Sequence, residues 1–144
     1  MNKSKLKVWI IKIGEPAIFH VSQSKNKPMR SALITSEFAK NKNNEVVWWT
    51  SNFQHHNKKF LNNKKYFFEE KEENIETKYL GSTGYKNNIS ISRILDHVLI
   101  AKNFKKKSKM ATVPDVIICS WPPIELAYEA FKYAQNENIP FVLD

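Results

Sequence analysis

The chain has 144 residues, 42% of them hydrophobic, a single cysteine and a formal net charge of +9. A chain of that length is expected to be one ordinary domain, burying its core without disulfides or a structural metal, and no apolar run approaches the roughly 20 residues of a membrane-spanning helix. The charge points either to phosphate groups, on nucleic acid or on an anionic membrane, or to a coding bias that scatters lysine and asparagine through loops such as 40–44 and 62–65.

The N-terminus is basic, but the apolar run 8–13 is broken by Lys12 and lacks the length and cleavage site of a secretory signal, so a cytoplasmic location is expected. Residues 6–13, Leu-Lys-Val-Trp-Ile-Ile-Lys-Ile, are β-branched and aromatic and end at Gly14, which suits a buried first strand. An irregular stretch follows to Lys27. Pro28 then opens a helix with Met29, Ala32, Leu33, Phe38 and Ala39 at helical spacing. Residues 45–50, Glu-Val-Val-Trp-Trp-Thr, have the composition of a second strand, giving a βαβ unit.

Between 51 and 88 the pattern is weakest. Residues 66–68 and 75–80 read as short strands, with the acidic 69–73 as the turn between them. From Ser90 a helix runs toward Lys107, with Ile91, Ile94, Leu95, Val98, Leu99 and Ala101 on one face and Arg93, Asp96, His97 and Lys102 on the other. Lys105, Lys106 and Lys107 complement the negative end of its dipole. Residues 116–119 predict a third strand, 123–136 a helix with Leu126, Ala127, Ala130, Phe131 and Ala134 inward, and 141–143 a fourth strand.

This alternation predicts an α/β domain, a Rossmann-like, mostly parallel sheet with helices on both faces. Cys119, inside the most apolar run, reads as a buried structural thiol; a lone cysteine supports neither a disulfide framework nor a CxxC site.

In parallel α/β sheets ligands bind beyond the carboxyl ends of the strands. After the first strand comes Gly14-Glu15-Pro16, without the repeated glycines of a dinucleotide or phosphate loop; Glu15 turns either toward a sugar hydroxyl or toward water. After the second comes Thr50-Ser51-Asn52-Phe53-Gln54-His55-His56, rich in groups that donate and accept hydrogen bonds. The adjacent histidines lack the spacing of zinc ligands, and His55 reads either as a proton carrier or hydrogen-bonding group or as a surface residue. Arg30, in the first turn of a helix, opposes the dipole, which calls for an anionic ligand, a carboxylate partner or solvent.

The order of motifs is more specific than any one of them: Gly14-Glu-Pro16, Pro28-Met-Arg30, Val47-Trp-Trp-Thr-Ser51 with His55, Asn88-Ile-Ser90 leading into Arg93-Ile-Leu-Asp-His97, and Pro114-Asp-Val-Ile-Ile-Cys-Ser120 ahead of Glu125-Leu-Ala127. Together, over essentially the whole chain, they resemble the N-terminal domain of bacterial family 4 glycosyltransferases of the GT-B fold, the type found in cell-surface polysaccharide assembly (lipopolysaccharide, capsule).

The resemblance implies that residues 1–144 form the acceptor-side domain, with the donor-binding C-terminal domain absent and this part inactive alone. It implies retaining transfer of a sugar from a nucleotide-sugar donor to a lipid-linked or saccharide acceptor, with no cofactor and no obligatory metal, on or near an anionic membrane surface at the inner face of the cytoplasmic membrane. It places Glu15 and Arg30 near acceptor or donor phosphates, Thr50, Ser51 and His55 in the second loop, and Ser120 with Trp121 in the third. Trp121 departs from the pattern, and its ring either stacks on a sugar or lipid or serves packing.

Two other functions compete. One is a stand-alone α/β module binding a phosphorylated ligand. The other, nucleic-acid binding, is disfavoured because the aromatics fall in apolar runs instead of alternating with arginines.

Overall fold

The computed structural model describes residues 5–16, 27–62 and 66–144. Most of the irregular stretch expected before Lys27, and most of the 62–65 loop, lie outside them.

The sheet is built outward from the most apolar strands. β1 (Lys7–Ile11) lies between β2 (Glu45–Ser51) and β7 (Val116–Cys119), parallel to both. Buried on both faces, these strands are continuous β-branched and aromatic runs. β6 (Ile75–Leu80) extends the parallel sheet beyond β2, and β8 (Phe141–Leu143) extends it beyond β7. β5 (Phe68–Glu72) closes one edge antiparallel, giving the order β5-β6-β2-β1-β7-β8.

Helices cover both faces, as the alternation predicts. On one face Val8, Ile10, Val46 and Trp48 pack against Ala32 and Ala39 of α1 (Arg30–Ala39). On the other, Trp9, Ile11, Val47 and Trp49 meet Ile100 and Phe104 of α2 (Ile91–Ser108) and Leu126, Ala130, Tyr133 and Ala134 of α3 (Ile124–Asn136). Successive strand residues point to opposite faces, so Trp48 and Trp49 serve different cores. The larger core centres on an aromatic cluster, with Trp9 stacked on Tyr133 at 5.0 Å and Trp49 edge-on to Phe104 at 5.2 Å.

Three details differ from the sequence reading. The acidic 69–73 segment is the edge strand β5 rather than a turn, and the reversal narrows to Glu73 and Asn74. Cross-strand partners disperse its charge: Glu69 accepts from Lys78 at 2.5 Å and Glu70 from the Tyr79 hydroxyl at 2.8 Å. Charged side chains also protect a sheet edge from further pairing. Phe131, expected inward on α3, and Leu33, on the apolar face of α1, are exposed, while Tyr133 is buried in Phe131's stead. Cys119 is buried in the larger core, and burial pushes its thiol up to about 12, the behaviour of an inert structural cysteine.

The third difference is the largest. In the first half of α2, Ile91, Ile94 and Leu95 face solvent while Asp96 is buried and His97 largely so. The second half is conventionally amphipathic, with Ile100, Ala101 and Phe104 in the core.

Candidate functional site

The strand order reverses between β1 and β7, and beyond the carboxyl ends of the strands there lies a cleft of about 190 Å³. Its walls come from the segment after β1 (Lys12 to Glu15), Ser51 at the end of β2 with Phe53, His55 and His56 beyond it, the start of α2 (Arg93, Asp96, His97), Tyr85, and Pro122 and Pro123 after β7. A crevice at such a switch point is where open α/β sheets hold ligands, since adjacent connections leave toward opposite faces and open the gap.

The floor is organised by Asp96. Its Oδ1 accepts from the Ser82 hydroxyl (2.7 Å) and from the backbone N–H groups of Thr83 (2.7 Å) and Gly84 (3.0 Å). The Thr83 hydroxyl adds a longer bond at 3.1 Å. A buried carboxylate needs this degree of satisfaction. Gly84 is required here: its φ is +68°, and a Cβ would stand 2.8 Å from the Phe53 ring.

The loop so fixed delivers Tyr85, which packs on Phe53 at 4.9 Å. Its hydroxyl lies 2.6 Å from His55 Nδ1. His55 sits on the turn of a small hairpin, β3 (Phe53–Gln54) with β4 (Lys59–Phe60), which tilts Phe60 against Phe53. The Lys58 ammonium lies 3.2 Å from the same Nδ1, and an ammonium only donates. Nδ1 is therefore the acceptor, the ring proton sits on Nε2, and Nε2–H is the group left for a ligand.

Positive groups crowd this wall. Lys58 stands 4.7 Å and Arg93 5.8 Å from the centre of the Tyr85 ring, and Arg93 Nη1 donates to the Asn88 carbonyl at 2.7 Å. Burial holds His55 below the usual imidazole value, and Lys58 and Arg93 push it the same way. Burial also depresses His97, opposed by Glu125, whose carboxylate lies 3.8 Å from Nδ1. Near neutral pH His55 and His97 thus face the cleft as neutral imidazoles beside the Arg93 guanidinium, a surface for a phosphate or for polar hydroxyls.

Of the residues singled out in the sequence, Glu15, Ser51 and His55 line this cleft. Glu15 has a structural duty as well: its Oε2 accepts from Ser31 N–H at 3.2 Å, capping α1, whose own N-cap residue Met29 makes no side-chain cap. Arg30 does not line the cleft. It pairs with Asp144, the carboxylate partner that offsets its unfavourable place at the helix N-terminus. Ser120 joins the same group, its hydroxyl donating to Asp144 Oδ2 at 3.3 Å. Thr50 and Ser51, expected in a loop, both belong to β2; Thr50 is buried, and its hydroxyl has no partner among the described residues. Trp121 is half exposed and lines apolar grooves beside the cleft.

Arg93, Asp96 and His97, together with Tyr85 and Lys58, were not singled out as site residues. The available signal was the 93, 96, 97 spacing, one polar helical face at i, i+3 and i+4, which reads as a solvated face until tertiary contacts show it turned inward. Among the described residues no group of three or more His, Cys, Asp or Glu side chains is placed to hold a metal ion, and no helix is long and apolar enough to cross a membrane.

In comparisons with protein-family models and with curated proteins, the sequence matches none.

Proposed function

We propose that this chain is the acceptor-side, Rossmann-like domain of a retaining GT-B glycosyltransferase, using a nucleotide-sugar donor and a lipid-linked acceptor whose phosphate and first hydroxyls enter the cleft. The observation that carries the reading is the cleft itself: it opens at the switch point of the sheet, and His55, Arg93 and His97 line it together with Glu15 and Ser51. The motif order quoted above supports the family.

In that reaction the bond from the anomeric carbon to the donor diphosphate breaks, a bond to the acceptor oxygen forms on the same face, and the acceptor proton leaves with the nucleoside diphosphate. His55, through Nε2, would orient the acceptor, while Arg93 would hold its phosphate. The reading includes no obligatory metal, as the resemblance implies. It puts the protein at the inner face of the cytoplasmic membrane, where such acceptors reside.

The test is calorimetric titration with farnesyl diphosphate, a short lipid diphosphate, compared between wild type, Arg93→Ala and His55→Ala. Binding weakened roughly tenfold or more by Arg93→Ala is expected from loss of one charge-assisted contact. Equal binding by all three proteins removes the cleft from the proposal. The same guanidinium also favours a stand-alone module for a phosphorylated ligand; sugar transfer by a protein that joins this domain to a donor-binding domain, lost on His55→Ala, separates the two.

A further inference from the structure

His55 and His97, two of the imidazoles that line the cleft, are held at the same ring atom by groups of opposite charge. His55 Nδ1 faces the Lys58 ammonium at 3.2 Å and the Tyr85 hydroxyl at 2.6 Å. His97 Nδ1 faces the Glu125 carboxylate at 3.8 Å. The two rings flank one aromatic side chain, Tyr85, with their centroids 5.9 and 6.0 Å from its own. In each, Nε2 has no hydrogen-bond partner among the described residues.

The charge of the neighbour decides where each ring keeps its proton. An ammonium only donates, so the lone pair of His55 is on Nδ1 and its proton on Nε2. A carboxylate only accepts, which reverses the arrangement in His97: a lone pair on Nδ1 would be repelled by Glu125, so the proton sits there and the lone pair is on Nε2. At 3.8 Å this contact is Coulombic and too long for a hydrogen bond, and the sign of the charge is enough to choose the tautomer. The other charged groups acting on His97, Arg93 and Asp96, oppose each other, and burial keeps both rings neutral near pH 7.

We propose that the cleft selects a hydroxyl group lying next to an anionic one: His55 Nε2–H donates to the hydroxyl oxygen, His97 Nε2 accepts a hydrogen bond from the hydroxyl, and the Arg93 guanidinium holds the neighbouring anion. A hydroxyl is matched to this pair because it both donates and accepts. An ionised phosphate or carboxylate only accepts, and in the same place it sets its lone pairs against that of His97. His97 is then a specificity-determining residue. Glu125, which is not among the walls of the cleft, is a positioning residue that acts through it. The ligand class is a hydroxylated phosphate ester, of which a sugar phosphate is the simplest case. The inference rests on the acceptor reading above and narrows it: a bare lipid diphosphate has no such hydroxyl, so the acceptor that is selected already carries a sugar.

The test has one arm without ligand and one with it. Long-range proton–nitrogen NMR spectra above neutral pH, with the rings assigned through His55→Gln and His97→Gln, report the tautomers directly: Nε2–H is expected in His55 and Nδ1–H in His97. Glu125→Ala is expected to remove the Nδ1–H preference of His97 and to leave the His55 tautomer as it is. The same tautomer in both rings, or a His97 tautomer indifferent to Glu125→Ala, overturns the proposal. In the second arm, calorimetric titration compares glucose 1-phosphate with cyclohexyl phosphate, which has a ring of the same size and no hydroxyls. Wild type prefers glucose 1-phosphate by roughly tenfold, the worth of a hydrogen bond to an otherwise unpaired group. His97→Leu brings the two probes close to parity, and His97→Gln, whose amide oxygen can stand in for Nε2, restores part of the preference. Equal binding of the probes by wild type, no binding of either, or a preference that survives His97→Leu overturns the proposal. Sugar transfer enters neither arm, so failure of the acceptor reading shows in the farnesyl diphosphate titration and failure of this inference in the tautomers.

Discussion

The two halves of α2 are one continuous helix under opposite rules. In the second half Phe104 is fully buried between Trp9, Trp49 and Tyr133, while Lys102 and Lys106 are exposed to water. In the first half the carboxylate of Asp96 is buried and the isoleucines are outside. A helix turns its apolar stripe inward only where it lies over the apolar floor of a sheet. The first half of α2 projects past the carboxyl ends of the strands, where its neighbours are the polar groups of the 82–85 loop, His55 and Glu125. Burial of polar side chains is the usual signature of a site, because each needs partners that an apolar residue would not.

The comparison is broken most severely from its conventional half. Phe104→Ala leaves a cavity in the aromatic cluster and is expected to cost about 3–5 kcal/mol in a denaturant titration. The Ile91→Ser and Leu95→Ser pair, on the same helix, is expected to change stability by only about 0.5 kcal/mol per site, as exposed positions do. A loss of several kcal/mol in the pair would mean that the first half is buried after all.

Asp96→Ala comes next. It strands the Ser82 hydroxyl and the Thr83 and Gly84 N–H groups, so a loss of about 2–3 kcal/mol is expected, with the 82–85 loop gaining hydrogen exchange ahead of the core. Uniform exchange throughout the domain would show that Asp96 supports the whole fold instead of the site.

The smallest expected effect is the pH dependence of the two histidines. Both are depressed in the folded protein, so between their folded values and the ordinary 6.5 the unfolded chain binds more protons. Stability therefore falls as the pH is lowered from about 6.5 through that window and is insensitive to these groups above it. The melting temperature of His55→Ala, followed against pH, should show a shallower acid-side fall than wild type; an unchanged slope would assign the depression to His97 alone.

The strands were legible because a strand buried on both faces must be apolar throughout, and 6–13, 45–50 and 116–119 have few other ways to fold. Glu15 and His55 were legible as site residues for a related reason: once the strands are placed, the residues beyond their carboxyl ends are placed too. Thr50 and Ser51 were assigned to the loop although β2 runs on through residue 51. Arg30 and Ser120 were drawn off by Asp144, a partner more than a hundred positions from Arg30 and 24 from Ser120.

What the sequence determined by itself is the alternation of strand and helix, and with it a mostly parallel sheet covered on both faces, because hydrophobic period and turn residues are local properties. Tertiary structure alone decided which way the first half of α2 faces. Its spacing of Arg93, Asp96 and His97 is compatible with either orientation. Only the 82–84 loop, whose backbone N–H groups need a buried acceptor, turns that face inward and leaves the isoleucines outside.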